Sequence, residues 1–176
     1  MTEIQELIST DADSWNYLTE LFKLCVPLDG ENGMDVKSFM ELVIDNLAGI
    51  VQYNGRTSFP LDIFSTCDIM TNGTIGAPME RLALINEIML GGEKCVDHTY
   101  ESFLADLTNT DWTGSGIGWR QWTWQTCTEF GWYQTTNQKS GGSVPTTYRP
   151  NDIFQPFFNT NFFSKLLNYY AVGSIA

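Results

Sequence analysis

The side chains best suited to chemistry lie in one stretch, Gly118 to Thr136, which reads GWRQWTWQTCTEFGWYQTT. It holds four of the six Trp residues of the chain and a single carboxylate, Glu129. A carboxylate surrounded by apolar surface either becomes harder to ionise or accepts hydrogen bonds from nearby donors. Glu129 and Gln125 could therefore orient a substrate, or they could only satisfy a backbone amide or Arg120.

A second group of candidates concerns nucleophilic catalysis. His98 is the single histidine, and its segment CVDHTYESF places it at the start of a short helix, where we expect a solvated residue near the cap. The segment SGGSVP around Ser143 imitates a G-x-S-x-G nucleophile elbow, but Pro145 occupies the fifth position, so we expect a plain turn. No Ser/His/Asp set and no pair of catalytic carboxylates can be assembled from these residues.

Metal and cofactor chemistry is not indicated. The cysteines lie far apart in the sequence, at Cys25, Cys67, Cys95 and Cys127. With no C-x-x-C pair and one histidine, they match no familiar zinc spacing. The glycines of the TGSGIG segment follow a helix and a loop and precede a predicted strand, the reverse of the order in phosphate-binding loops. We therefore expect no metal and no cofactor, and we expect the cysteines to be disulfide-bonded or buried as free thiols.

Composition limits the class of protein. Of 176 residues, 43% are hydrophobic, which is too apolar for a disordered chain despite a net charge of −12. That charge argues against nucleic acid as a partner, because few basic residues are available to neutralise phosphates. No apolar run of about 18 residues could span a membrane, and the N-terminal MTEIQELIST lacks the features of a signal peptide. The sequon at Asn72 (Asn-Gly-Thr) favours secretion.

Helical spacing of apolar residues dominates residues 1–108. The spacing predicts a helix that ends before Pro27, and a second helix capped by Asp35. A third helix begins near Pro78 and ends at Gly91-Gly92, and a shorter one includes Tyr100. The apolar stripes of these helices are predicted to form the core.

The character of the sequence changes near residue 109. Residues 109–136 are predicted to contain a Gly-rich loop followed by a strand over Arg120–Thr128, because aromatic and β-branched residues alternate there. Residues 137–176 read as a polar loop and an aromatic, helical tail.

The Trp-rich stretch resembles a family of serine peptidases that comprises lysosomal prolyl carboxypeptidase, dipeptidyl peptidase II and thymus-specific serine protease. Their aromatic-x-aromatic-Gln-x-Cys-Thr-Glu segment is matched at Trp122, Trp124, Gln125, Cys127, Thr128 and Glu129. The segments LFKLCVPLD, GIVQYNG and TCDIMTN are similar to the helical region of the family in the same order. The resemblance covers residues 1–135 and is greatest to the thymus-specific branch.

The resemblance implies a fold and an activity. The fold is mainly α, the helical cap subdomain of an α/β-hydrolase plus at least one strand of its sheet, incomplete. The residues expected to bind a peptide substrate, often one containing proline, are Trp122, Trp124, Gln125 and Glu129. The nucleophile, acid and histidine motifs of the family are not matched, so we expect the triad and the rest of the hydrolase domain to lie outside this chain. The chain alone is then inactive, and the enzyme is extracellular or lysosomal.

In the dipeptidyl-peptidase branch, an acidic residue stands between the two aromatics and helps to hold the substrate amine. Thr123 occupies that position here, which argues against amine recognition by this route. The resemblance also implies a bridge between Cys25 and Cys95, with Cys67 and Cys127 left unpaired.

Two other classes of function are compatible with the residues. A non-catalytic module could use the Trp-rich segment to bind a peptide or a carbohydrate. Alternatively, the chain could be a structural remnant that needs a hydrolase partner to cover its aromatic tail.

Overall fold

The computed structural model describes residues 2–111, 113 and 118–130. The chain divides into two compact units, Met1–Tyr100 and Glu101–Ala176. The helices are α1 (Thr2–Ile8), α2 (Ala12–Leu21), α3 (Gly33–Gln52), α4 (Ile63–Thr71), α5 (Pro78–Met89), α6 (Tyr100–Thr108) and α7 (Trp119–Gln125), and α7 continues into a π-helical turn, Thr126–Phe130. The prediction of a mainly α fold is confirmed for this part of the chain.

The predicted strand over Arg120–Thr128 is wrong, because α7 and the π turn occupy these residues. Aromatic and β-branched residues favour strands, but their alternation is imperfect, and the buried Thr123 and Thr126 stand three residues apart, as on a helix face. Within the described ranges the single β-type pairing is an isolated parallel bridge between Leu24 and Val96. The predicted boundaries at residues 108 and 136 stay predictions, as do the predicted loop and tail over 137–176, which lie outside the described residues.

Side-chain caps begin several helices. Asp11 accepts a hydrogen bond from Ser14 N at 2.9 Å to cap α2, and Asn32 accepts from the first backbone amides of α3. The prediction that Asp35 caps α3 is wrong, because the helix begins one turn earlier. Asp35 Oδ1 instead accepts a hydrogen bond from Tyr100 N at 2.8 Å, at the start of α6. Pro78 is the first residue of α5, as predicted.

A row of buried rings forms the centre of the first unit. Phe22 lies edge-on to Phe39 with ring centroids 5.2 Å apart, and Phe39 lies edge-on to His98 at 6.1 Å. All three side chains are inaccessible to solvent or nearly so. The row joins the end of α2, the middle of α3 and the segment before α6. Such edge-to-face pairs contribute about 0.5–1.5 kcal/mol beyond their burial.

Asn86 is a buried polar residue that is hydrogen-bonded to the backbone of Phe22, one member of this row. Its Nδ2 donates to Phe22 O at 3.2 Å, and its Oδ1 accepts from Asn46 Nδ2 at 2.7 Å. The buried amide therefore satisfies a carbonyl at the end of α2, which has no partner within its own helix. It also links α5 to α3. Removing this amide would leave buried polar atoms without partners, at a cost of about 1–3 kcal/mol.

The end of α2 turns sharply toward the bridge with Val96. Lys23 has a positive φ of 53°, which lets Leu24 N donate to Thr19 O and Lys23 N donate to Glu20 O. This is the hydrogen-bond pattern of a Schellman motif, in which glycine is the usual residue at the left-handed position. The Lys23 ammonium lies 2.6 Å from the Glu87 carboxylate, and both side chains are largely exposed, so we assign little stability to this pair.

The predicted disulfide between Cys25 and Cys95 is confirmed. The bridge joins residues 70 apart in sequence, with the Cα atoms 5.0 Å from each other. Beside it, Cys25 N donates to Val96 O and Val96 N donates to Lys23 O, both at 2.9 Å. Cys67 is exposed and free, as predicted. The side chain of Cys127 lies outside the described residues, so its unpaired state stays a prediction.

A second cluster lies toward the other end of α3. Ile50, Leu61 and Ile85 are buried together, with Ile69 and Met70 of α4 packed against them. Helix α5 contacts both α3 and α4. Part of the stripe predicted on α3 is buried as expected, namely Val36, Phe39, Met40 and Val43. No helix in the described part of the chain is both long and apolar enough to cross a bilayer.

We predict that replacing Cys25 and Cys95 together by Ser lowers the free energy of unfolding by roughly 4 kcal/mol, because the reduced unfolded chain regains the entropy of a loop of this length. The shift in the urea midpoint under non-reducing conditions measures this. Cys67→Ser is the matched control and should change the free energy by less than about 0.5 kcal/mol, since its side chain is exposed. A loss below about 1 kcal/mol in the double variant would contradict the prediction.

Candidate functional site

The start of α7 is held in a defined geometry. Gly118 has a positive φ of 85°, which favours glycine, and its N–H donates to the side-chain oxygen of Gln121 at 2.7 Å. Within the same unit, the Trp119 ring lies edge-on to Phe103 of α6 with centroids 6.3 Å apart. These contacts fix the first turn of the helix that carries the predicted site residues.

One face of α7 and the π turn brings together three of the four predicted site residues. Trp122 is 44% exposed, and Gln125 and Glu129 are also exposed. Their spacing of three and four residues places them in a row along one side of a helix. Thr123 and Thr126, between these positions in the sequence, are buried. We call the row of Trp122, Gln125 and Glu129 the exposed face.

Trp124 does not belong to the exposed face. It is two residues from Trp122, which on an α-helix corresponds to a rotation of about 200°. Its side chain is half-buried, whereas Trp122 is exposed. A strand would have placed both indoles on the same side. The helix separates them, so Trp124 is half-buried while Trp122 presents much of its surface to solvent.

Glu129 lies in the π turn that follows α7. Thr126 Oγ1 donates to Thr123 O at 2.9 Å, and Thr128 Oγ1 donates to Trp124 O at 2.8 Å. Threonine hydroxyls that bond backward in this way compete with amides for the helix carbonyls. Turns of this type are rare and occur frequently at functional sites.

The exposed face offers recognition chemistry. An exposed indole can cover an apolar or proline side chain, a carboxylate accepts hydrogen bonds from amides or amines, and a carboxamide both donates and accepts. Acyl transfer would in addition need a hydroxyl or thiol nucleophile beside a base, and Trp122, Gln125 and Glu129 include no such nucleophile. Among the described residues, no group of three or more His, Cys, Asp or Glu side chains could hold a metal ion.

His98 is buried rather than solvated, which corrects the sequence-based expectation. Only 2% of its surface is exposed, and neither ring nitrogen has a hydrogen-bond partner in the described residues. It packs against Phe39 because the disulfide and the Leu24–Val96 bridge draw its segment onto the core. Burial lowers the pKa of His98, and the charges of Asp35 and Asp97 partly offset this. A base sealed in the core cannot reach a peptide. Ser143 lies outside the described residues.

The structure singles out a carboxylate that the sequence-based reasoning missed. Glu41 and Asp45 stand one turn apart on α3. Burial raises the pKa of Glu41 to about 7, and the nearby charge of Asp45 adds to this. The sequence signal was present, as two carboxylates four residues apart beside an apolar stripe. The burial that gives Glu41 its altered pKa could not be predicted from spacing.

Comparison with known proteins places these observations in a family. A profile described as Serine carboxypeptidase S28 matches residues 1–171. The thymus-specific serine protease of Mus musculus is 31% identical over 141 residues, which are 76% of this chain and 27% of that protein. The thymus-specific serine protease of Homo sapiens is 35% identical over 124 residues, 66% of this chain and 23% of that protein. The chain thus spans about a quarter of the length of these relatives. No solved structure matches it.

We predict that acid destabilises the first unit through His98. Because the folded pKa lies below the ordinary value of 6.5, protonation favours the unfolded state as pH falls through 6.5 toward the folded value. The free energy of unfolding should fall between about pH 7 and pH 5 by up to about 1.4 kcal/mol per pH unit from this residue. His98→Phe should remove that component. An unchanged slope in chemical denaturation of the variant would contradict the prediction.

Glu41 is predicted to have the opposite effect from His98 on how the free energy of unfolding depends on pH. Its folded pKa is raised, so its destabilising effect is absent well below pH 4.5 and grows as pH rises from there to about 7. Glu41→Gln should therefore raise the free energy of unfolding at about pH 8 by roughly 1–3 kcal/mol and leave it nearly unchanged at about pH 4. The exposed Glu20→Gln is the matched control. Destabilisation of the Glu41→Gln variant at the higher pH would show that the carboxylate is stabilised in the fold.

Proposed function

The chain belongs to the serine carboxypeptidase S28 family, and on that premise we propose that it is the part of a serine peptidase that covers the active site and selects the substrate. The family supports peptides as substrates and a serine-type mechanism. In that mechanism a histidine removes the proton of the serine hydroxyl, which attacks the peptide carbonyl, and an aspartate orients the histidine. In our proposal these three residues are supplied by other parts of the enzyme.

The exposed face is the observation that carries the proposal. It lies within the motif that the family resemblance identifies, and it presents an indole, a carboxamide and a carboxylate in one row. Substrate pockets combine apolar walls with a few placed polar groups, and this row supplies both kinds. Trp122 would cover the side chain next to the cleaved bond, and Glu129 would accept a hydrogen bond from the substrate.

The proposed substrates are peptides with proline beside the cleaved bond. The flat pyrrolidine ring lies well against an indole and has no N–H once it is part of a peptide bond. Position 123, where an acidic residue would hold a substrate amine, is buried here and carries threonine. This supports recognition of the substrate by Glu129 rather than through position 123.

The proposed location is extracellular or lysosomal. A disulfide that joins Cys25 to Cys95 supports an oxidising compartment, because such bridges do not persist in the cytosol of most cells. A non-catalytic module that binds peptides or carbohydrates through its Trp residues is not favoured, since the family profile and the similar proteins are serine peptidases.

We predict that, in the longest natural form of this protein, Trp122→Ala and Glu129→Gln each raise KM for a proline-containing chromogenic peptide about tenfold, equivalent to about 1.4 kcal/mol. Trp122→Ala removes apolar contact surface and Glu129→Gln removes the charge of a hydrogen-bond acceptor, whereas the catalytic residues remain. Trp124→Ala should instead lower thermal stability, because its side chain is half-buried.

The purified 176-residue chain is the control for catalysis. We expect it to hydrolyse no such peptide and to resist labelling by a fluorophosphonate probe of active serines. Turnover by this chain that is lost in Ser143→Ala would contradict the proposal. If the Trp122 and Glu129 variants have the same KM as the unsubstituted enzyme, the exposed face does not bind the substrate.

A further inference from the structure

The loop that joins α4 to α5 carries the single Asn-x-Ser/Thr triplet of the whole sequence, Asn72-Gly73-Thr74. We infer that Asn72 is the acceptor of an N-linked glycan, transferred from a lipid-pyrophosphate-linked oligosaccharide. The inference rests on entry of the chain into the secretory pathway, which is part of the proposed function. It assigns a modification that is independent of the peptidase chemistry.

The loop is open to solvent. Residues 71–75 are all exposed, and no atom outside Gly73 and its two neighbours in the chain lies within 4 Å of the position that a Cβ on Gly73 would take. A glycan is bulky and hydrophilic, so its attachment requires a surface position of this kind. The site therefore offers room for an oligosaccharide without displacement of the core.

The side chains of the triplet are arranged for attachment through nitrogen. Thr74 Oγ1 donates to Asn72 Oδ1 at 2.6 Å, and Thr74 N donates to the same oxygen at 3.0 Å. In the described part of the chain no acceptor binds Asn72 Nδ2. The amide oxygen is thus held by two donors while the nitrogen remains available.

The transfer step follows from this arrangement. Asn72 Nδ2 forms a bond to the anomeric carbon of the sugar, and the bond from that carbon to the pyrophosphate oxygen breaks. The lipid pyrophosphate leaves with the electron pair of the broken bond, and the amide nitrogen gives up one proton to a base of the transferase. Hydrogen bonds to Oδ1 favour this step because they stabilise negative charge on the oxygen as the nitrogen loses its proton.

The other Asn-Gly pairs of the chain are committed to the fold. Asn32 caps α3 through Oδ1 and donates through Nδ2 to Asp35 Oδ2 at 2.8 Å. Asn54 Oδ1 accepts from Ile63 N at 3.0 Å, at the start of α4. Neither is followed by Ser or Thr at the required position. Of the three, Asn72 alone has both the Asn-x-Ser/Thr triplet and an available side-chain nitrogen.

Both ends of the loop are anchored independently of the triplet. Arg81 of α5 donates from Nε to Gly76 O at 2.8 Å and from its terminal nitrogen to Met70 O at the end of α4. Glu80 accepts from Ala77 N at 2.7 Å. Changes at Asn72 or Thr74 should therefore leave the α4–α5 pair folded, which makes them clean tests. A glycan here also requires this end of the helix pair to face solvent in the assembled enzyme.

The test uses the 176-residue chain behind a cleavable secretion signal, translated with microsomes. Only the pool protected from added protease is scored, so every molecule counted has entered the lumen. We expect one glycan, seen as a single mobility shift that peptide-N-glycosidase reverses. Asn72→Gln and Thr74→Ala should each abolish it, whereas Thr74→Ser, which keeps a hydroxyl, should retain at least part of it.

The outcomes separate this inference from the proposed function. A protected chain without a glycan, or a glycan that persists in both abolishing variants, would overturn the inference whatever the enzyme does. If the signal-bearing chain is glycosylated and the natural full-length protein from its own cells is not, the inferred acceptor stands and the proposed location fails. Peptidase assays of the full-length Asn72→Gln enzyme should show unchanged kcat, since the residue lies outside the exposed face.

Discussion

Closure of the chain between Cys25 and Cys95 is the constraint on which the first unit depends. Two backbone hydrogen bonds beside the bridge align the end of α2 with the segment that follows α5. That alignment draws His98 onto Phe39 and brings Asn86 within reach of the last carbonyl of α2. The aromatic row, the buried amide link and the entry into α6 all follow from this one junction. A chain of this size with short helices gains most from such a link, because each helix alone is marginally stable.

The first unit contains two ionisable groups, the buried His98 and the half-buried Glu41, whose effects on the free energy of unfolding have opposite pH dependence. The buried His98 is best accommodated when neutral, and the raised pKa of Glu41 means that its carboxyl is best accommodated when protonated. Acid therefore opposes burial of the first and favours burial of the second. For a protein proposed to work outside the cell or in lysosomes, the balance between them sets the pH range in which the helical unit is most stable.

The site is defined by which residues a helix can present. Because α7 and the π turn rotate successive side chains, Trp122, Gln125 and Glu129 are exposed in one row, while Thr123 and Thr126 are buried. Recognition of a substrate by this row needs no catalytic residue within it. In the proposed enzyme, one part therefore supplies apolar contact and hydrogen bonds to the substrate, and another part supplies the nucleophile and its base.

The sequence by itself determined the helical stripes of the core, Pro78 at the start of α5 and, through the resemblance to relatives, the pairing of Cys25 with Cys95. These depend on local spacing or on a motif, which a sequence displays directly. Tertiary structure decided that Asn32 rather than Asp35 caps α3, that His98 is buried, and that Trp122 and Trp124 face different ways. Each depends on which distant residues come into contact, and at Arg120–Thr128 that context prevailed over strand propensity, as it commonly does for aromatic and β-branched residues.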